Sequence, residues 1–222
     1  MNILALETAT EACSVALSTA AGDMFSAFEL APRRHTELLP RMLEQVLKAS
    51  GLVRTDIDCI ALGNGPGAFT GVRIAAATAQ GMAMGLAVPI VAVSSLAILA
   101  QRACERLAVN RVQAMLDARM GEIYSAVYRL DRATGLVILD GEEVLVAAAG
   151  FGWSGCAAAG PGIAAARAAG SEPAETVVCD EGLLPDAESL ARLARPLAEN
   201  GQTSSAAQLP INYLRNQVAW RK

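Results

Sequence analysis

From Ile74 to Ala100 the chain runs 27 residues without a charged side chain, and this stretch limits the fold more than any other. It exceeds the length of a typical membrane span. Three features argue against a span. Gly81, Gly85 and Pro89 interrupt the run, and Gln80, Ser94 and Ser95 are polar. Alanine dominates it, and alanine gives weak insertion energy beside Leu or Ile. A helix over 70–84, a turn, and a strand over 89–93 account for it better, all of them buried. A chain of 222 residues is long enough to cover such a segment with one large domain or two small ones, without covalent staples.

The surrounding pattern supplies the cover. Ile3 to Leu6, the stretch around Cys13, Val15 and Leu17, and Met24 to Leu30 read as three strands joined by tight turns, an antiparallel meander. Leu39, Met42, Leu43, Val46 and Leu47 recur at helical spacing, with Gly51 closing the helix and Pro40 expected in its first turn. Ile57 to Leu62 reads as a buried strand. Ser94 or Ser95 is expected to cap a helix through Arg106. In the second half, 112–116, 122–130 and 136–143 read as strands, and 161–169 and 185–198 as helices. Residues 147–162 read as a loop-rich join. No repeat of fixed period is evident. The order of elements predicts a mixed-sheet α/β fold in two lobes, residues 1–106 and 107–222, with the final segment free to pack back on the N-terminal lobe.

Composition narrows the function. Net charge is −4, whereas a chain that grips nucleic acid unaided usually carries a basic excess. The local exception is the end of the chain, where Arg215, Arg221 and Lys222 follow Glu199 with no further acid, interleaved with Tyr213 and Trp220. That tail could meet RNA phosphates and bases or simply be a solvated terminus with a docked aromatic. Cys13, Cys59, Cys104, Cys156 and Cys179 are odd in number and contain no CxxC pair. They read as buried free thiols of a reducing compartment. No Lys or Arg precedes Arg33, so no secretory leader is expected, and the cytoplasm is the expected location.

Gly63-Asn64-Gly65-Pro66-Gly67-Ala68-Phe69-Thr70-Gly71-Val72-Arg73 is the strongest local signal. It lies between a buried strand and a helix, where glycine permits close backbone approach and helix N–H groups can receive an anion. A cradle for phosphate and a strand-to-helix turn that merely needs glycine are both open readings. The candidate anion or nucleotide set is Glu7, Thr8, Gly65, Gly67, Thr70 and Arg73. Two named loops fail. No lysine occurs between Lys48 and Lys222, which removes a Walker A motif. No Asp or Glu occurs between Asp58 and Glu105, so the acid that a dinucleotide site places on the ribose is missing. The single histidine, His35, cannot build a histidine metal cluster and reads as a capping or surface residue near a helix start. Gly152-Trp153-Ser154-Gly155-Cys156 lacks the last glycine of a nucleophile elbow. No catalytic and no metal-binding residue is therefore expected. Asp117 to Glu122 reads as a salt-bridged turn. Ala75, Ala79 and Ala83, like Ala77, Gly81 and Gly85, form stripes of small residues that let another element approach closely, inside the chain or across an interface.

ILALETATEACSVAL (3–17), GPGAFTGVR (65–73), DARMGEIY (117–124) and PINYLR (210–215) appear in order. By these motifs the chain closely resembles the TsaB (YeaZ) family, the dimerisation subunits of the bacterial tRNA threonylcarbamoyladenosine machinery. The resemblance implies an actin-like, sugar-kinase-like (ribonuclease H-like) fold of two lobes with mixed sheets flanked by helices. It implies pairing with the catalytic subunit TsaD and the ATPase TsaE, and no turnover by this chain alone; a homodimer is an open alternative, since an exposed apolar stripe can pair with itself. ATP or ADP with magnesium would then belong to the whole complex, with no cofactor of this chain's own. The metal-holding histidine pair of the catalytic relative falls on Ser95 and Leu99, and the family's opening aspartate is Glu7. First-lobe helices pack on the partner in this family, which puts an interface at Leu39, Met42, Leu43, Val46, Val72, Ala75, Ala79 and Ala83. The competing reading is an autonomous ATPase or small-molecule kinase on the same fold, motivated by Glu7-Thr8 and the glycine loop.

Overall fold

The computed structural model describes residues 1–30 and 32–215. Strands β1 (Ile3–Glu7), β2 (Ala12–Ser18) and β3 (Met24–Leu30) form the expected antiparallel meander. β4 (Cys59–Gly63) pairs in parallel with the free side of β1, and β5 (Ile90–Val93) extends the sheet, giving the order β3-β2-β1-β4-β5. Parallel neighbours require crossovers. These are α1 (His35–Ser50), before β4, and α2 (Phe69–Leu86), between β4 and β5.

After α3 (Ser95–Leu107), the chain builds a second sheet from β6 (Arg111–Arg119), β7 (Glu122–Asp131), β8 (Leu136–Leu139), β9 (Val144–Ala147), β10 (Ala157–Ala159) and β11 (Cys179–Asp180). Its order is β11-β10-β6-β7-β8, with β9 on the other half of β7. α4 (Gly162–Ala168) and α5 (Ala187–Glu199) complete the two-lobed, mixed-sheet α/β arrangement.

The period-2 alternation of strands sorts the core. Leu4, Leu6, Ile60 and Leu62 face α1 and α2, while Ile3, Ala5, Cys59 and Ala61 face the opposite side. That second face is built from small residues, and α5 meets it with Ala187, Ala191 and Ala194 around Leu190. Much of the alanine therefore permits close helix-on-sheet approach. Burying a Leu or Ile fully contributes about 2 kcal/mol, so these layers outweigh the exposed ion pairs at about 0–1 kcal/mol each.

The local signals hold in part. Gly51 closes α1 at φ 73°. Ser94 caps α3 by accepting from the Leu96 N–H at 3.2 Å. α1, however, begins at His35, so Pro40 lies in its second turn rather than its first. Pro40 is exposed there, where its missing N–H removes one helical bond on the solvent side. β8 ends at Leu139 instead of 143, because the chain turns at Gly141 with φ 109°. β9 falls just after the expected strand 136–143, β10 lies within the expected loop, and β11 has two residues. Strands this short carry too few alternating positions to be read.

Candidate functional site

The glycine loop and the first hairpin meet at backbone contact distance. A Cβ on Gly71 would lie 2.0 Å from the Thr8 carbonyl oxygen, and one on Gly67 2.3 Å from that of Ala9. The Ala68 N–H donates to the Ala9 carbonyl at 2.7 Å, and the Thr8 hydroxyl donates to the Gly71 carbonyl at 2.7 Å. These glycines thus serve hairpin-to-loop packing, the structural one of the two open readings. The helix-capping residue of α2, Ala68, offers no side-chain acceptor.

Glu7 ends β1 and is fully enclosed. Its Oε1 accepts from the Ala9 N–H at 2.5 Å and its Oε2 from the Ser95 hydroxyl at 2.9 Å. A Cβ on Gly63 would lie 1.9 Å from Oε2, so the bare glycine makes the space for this carboxyl. Burial pushes the Glu7 carboxyl up to about 7; hydrogen bonds from Ala9 and Ser95 oppose the rise and the negative charge of Asp186 adds to it. Of the predicted anion set, Glu7, Thr8 and Gly65 are buried, Gly67 is half-buried, and Thr70 and Arg73 are exposed. Arg73 lies over the Phe69 ring at 3.1 Å and 5.4 Å from the Tyr213 ring centre.

A second cluster links the lobes. The Glu143 carboxylate accepts from the Ser94 hydroxyl, from Tyr128 OH at 2.6 Å and from Asn212 Nδ2 at 2.6 Å. Burial first, and then the Glu143 charge, push the Tyr128 phenol above its ordinary range. The β6–β7 turn is salt-bridged as expected, Arg119 pairing with Asp117 at 2.9 Å, and Arg119 also reaches Glu11 of the first hairpin at 3.0 Å. Glu143, Tyr128, Asn64 and Asn212 were not singled out from the sequence. Asn64 stands in the glycine loop and Asn212 in the PINYLR motif, whereas a lone Glu after a turn carries no pattern.

The proposed interface residues need correction. Leu39, Met42, Leu43, Val46, Val72, Ala75, Ala79 and Ala83 are all buried, none above 9% exposed. They hold α1 and α2 on their own sheet. A small-residue stripe marks close approach without saying to what, and here the sheet is what approaches. The outward sides of the two helices differ. α1 turns Glu37, Arg41, Glu44, Gln45 and Lys48 to solvent, whereas α2 presents Arg73, Ala77, Gly81, Met84 and Gly85, with Arg73 near its start as the one charge.

His35 is buried rather than on the surface. Its Nε2 donates to the carbonyls of Thr10 and Ala12, at 3.0 and 3.2 Å, fastening the first hairpin to α1. Cys13, Cys59 and Cys104 are buried free thiols, pushed up to about 11 chiefly by burial, while Cys156 and Cys179 are only half-buried. Among the described residues no group of three His, Cys, Asp or Glu is arranged to hold a metal, and no helix is long and apolar enough to cross a membrane. A cavity of about 370 Å³ beside β7 is lined by Gln113 and Ser125, whose polar atoms already bond each other at 3.4 Å. Of the tail, Trp220, Arg221 and Lys222 lie outside the described residues; Arg215 is paired with Glu122.

Residues 28–172 match the family model for TsaD, tRNA N6-adenosine threonylcarbamoyltransferase. Over its whole length the chain is 41% identical to the tRNA threonylcarbamoyladenosine biosynthesis protein TsaB of Escherichia coli K12, covering 98% of that protein. It is 34% identical to TsaB of Haemophilus influenzae, again over its whole length and 97% of the relative. The solved structure of YeaZ from Pseudomonas aeruginosa superposes with a TM-score of 0.88 at 40% identity, over 96% of this chain and 99% of that one. The chain belongs to the TsaB (YeaZ) family.

At Glu7, where the resemblance puts an aspartate, the surroundings fit the longer acid. The longer side chain is accommodated by Gly63 and held by Ser95. Ser95 and Leu99 stand where the resemblance puts the metal-holding histidines of the catalytic relative. Ser95 is enclosed with its hydroxyl donated to Glu7, and Leu99 is enclosed among Leu96, Ala103 and Leu116. Neither side chain can ligate a metal as an imidazole does.

Proposed function

We propose that this chain is the non-catalytic partner subunit of tRNA threonylcarbamoyladenosine formation in the cytoplasm, binding the catalytic TsaD subunit and supporting its reaction. Full-length likeness to TsaB proteins carries the assignment to this pathway. The observation that carries the non-catalytic part is the fate of the two histidine positions, one a serine committed to Glu7 and the other a leucine inside the core. A transferase needs a metal or a general acid–base group beside its substrate. The one imidazole of this sequence donates to two backbone carbonyls.

The outward side of α2, small and apolar after Arg73, supports the docking of TsaD there. Gly81 and Gly85 leave open space above the helix, so a partner helix can come close. TsaE joins through the assembled pair, the same face serves self-pairing when TsaD is absent, and nucleotide with magnesium belongs to the assembly. Contact of the basic tail with tRNA is an accessory feature of this reading.

An assay of threonylcarbamoyladenosine formation on tRNA tests it, omitting each subunit in turn. This chain alone is expected to form no modified tRNA, and the complete set is expected to form it. Gly81→Arg is expected to abolish co-purification with TsaD while leaving the thermal transition unchanged. Modification of tRNA by the purified chain alone would overturn the reading, and an undiminished G81R complex would move the interface off α2.

A further inference from the structure

We propose that the segment Leu209–Arg215 is an intramolecular strap that holds the two lobes closed across the glycine loop, with Glu143 as its anchor. The segment has no regular secondary structure, yet it is fixed at four places. The Pro210 carbonyl accepts from Asn64 Nδ2 at 3.1 Å, and the Asn212 N–H donates to the Asn64 carbonyl at 2.9 Å. Asn212 then gives its side-chain amide to Glu143 of the second lobe at 2.6 Å. Arg215 donates to the Ala118 carbonyl at 3.0 Å and pairs with Glu122, both on the β6–β7 hairpin.

Apolar contacts follow the same path. Leu209 and Ile211 pack on the first-lobe core, and Leu214 packs on the core between α3 and the second sheet. Backbone bonds thus face one lobe and side-chain bonds the other within seven residues, so the strap cannot keep both sets if the lobes separate. Ser94 to Glu143 and the exposed Arg119–Glu11 pair tie neighbouring segments, and an exposed pair holds little; farther along α3, Gln101 donates to the Gly135 carbonyl and accepts from the Val137 N–H, and Arg102 pairs with Asp186. Because Asn212 lies against Gly65, with its carbonyl 3.1 Å from a Cβ position there, the strap also fills the space in front of Gly65. Access to Gly65 from solvent then requires the strap to leave.

The proposal does not depend on the pathway assignment and is tested on the isolated full chain. Hydrogen–deuterium exchange is followed by mass spectrometry for the unaltered protein, for N212D, and for the double variant N212D/E143Q. N212D sets two carboxylates at hydrogen-bond distance, while the double variant exchanges amide and carboxylate and restores the pair. We expect N212D to speed exchange about tenfold or more in peptides containing residues 64–65, 118–122 and 211–215, since charge-assisted bonds are the strong ones. Peptides of β1 and β2 should keep their protection, and the double variant should recover most of what was lost. Unchanged exchange in N212D overturns the proposal. So does a loss spread evenly over all peptides, or one that the double variant fails to restore.

Discussion

The two lobes share one strand order but not one degree of construction. In the first, β3-β2-β1-β4-β5 has β1, β2 and β4 buried along their whole lengths, between helices of 16 and 18 residues on one face and α5 on the other. In the second, β8-β7-β6-β10-β11 repeats the order, yet β10 and β11 have three and two residues and α4 only seven. No helix corresponds to α1; a loop through Phe151 and Trp153 takes its place. The second lobe is therefore a reduced copy of the first, and it gives up α5 to the first sheet. The difference teaches that strand order is set by a few pairings, while rigidity is set by how much apolar surface each face buries. It also places the α2 face proposed for docking on the better-built lobe.

Truncations measure this difference most directly. Leu190→Ala removes a fully enclosed side chain between α5 and the first sheet and is expected to cost about 4 kcal/mol, against about 2–3 kcal/mol for Ile163→Ala on α4. Equilibrium urea unfolding measures both, and a larger loss from the α4 variant would break the comparison. Next comes Gly71→Ala. Its Cβ would meet the Thr8 carbonyl at 2.0 Å, and overpacking against backbone is expected to cost about 3 kcal/mol, again read from the urea midpoint.

The enclosed carboxyl gives the first lobe a pH signature. Because Glu7 is pushed up to about 7, the folded chain holds a proton that the unfolded chain has released between the ordinary carboxylate range and about 7. The unfolded state binds fewer protons there, so stability falls as pH rises through that window and levels off above it. A decrease of about 2–3 kcal/mol between pH 4.5 and pH 8 is expected from this group. Glu7→Gln should flatten that part of the profile; an unchanged slope would remove Glu7 as its source. The smallest effect belongs to Arg119→Ala, which breaks the exposed bridge between the two hairpins. Its cost is expected to stay below about 1 kcal/mol and to vanish in high salt.

How much of this was legible depended on length of pattern. The meander, the three long helices and the mixed-sheet architecture follow from runs of five or more residues with clear period or clear end signals, such as Gly51 and Ser94. β10, β11 and the end of β8 left no such trace. The candidate site shows the same division. Glu7, Thr8 and the glycines stood out as types of residue, but the sequence left open whether they receive an anion or each other, and the hairpin contacts favour the second. The eight interface residues were chosen by stripe, and a stripe is blind to direction.

Sequence by itself determined which segments must be buried, where chains turn, that only one imidazole exists, and, through four motifs, the family. Local spacing and residue chemistry act over a few residues, and they need no partner to be read. Tertiary structure decided which face of α2 is left open, that His35 fastens a hairpin, and that Asn64, Glu143 and Asn212 meet although they are far apart in the chain. Such meetings depend on how two sheets and their helices pack together, a long-range outcome that no single stretch of residues encodes.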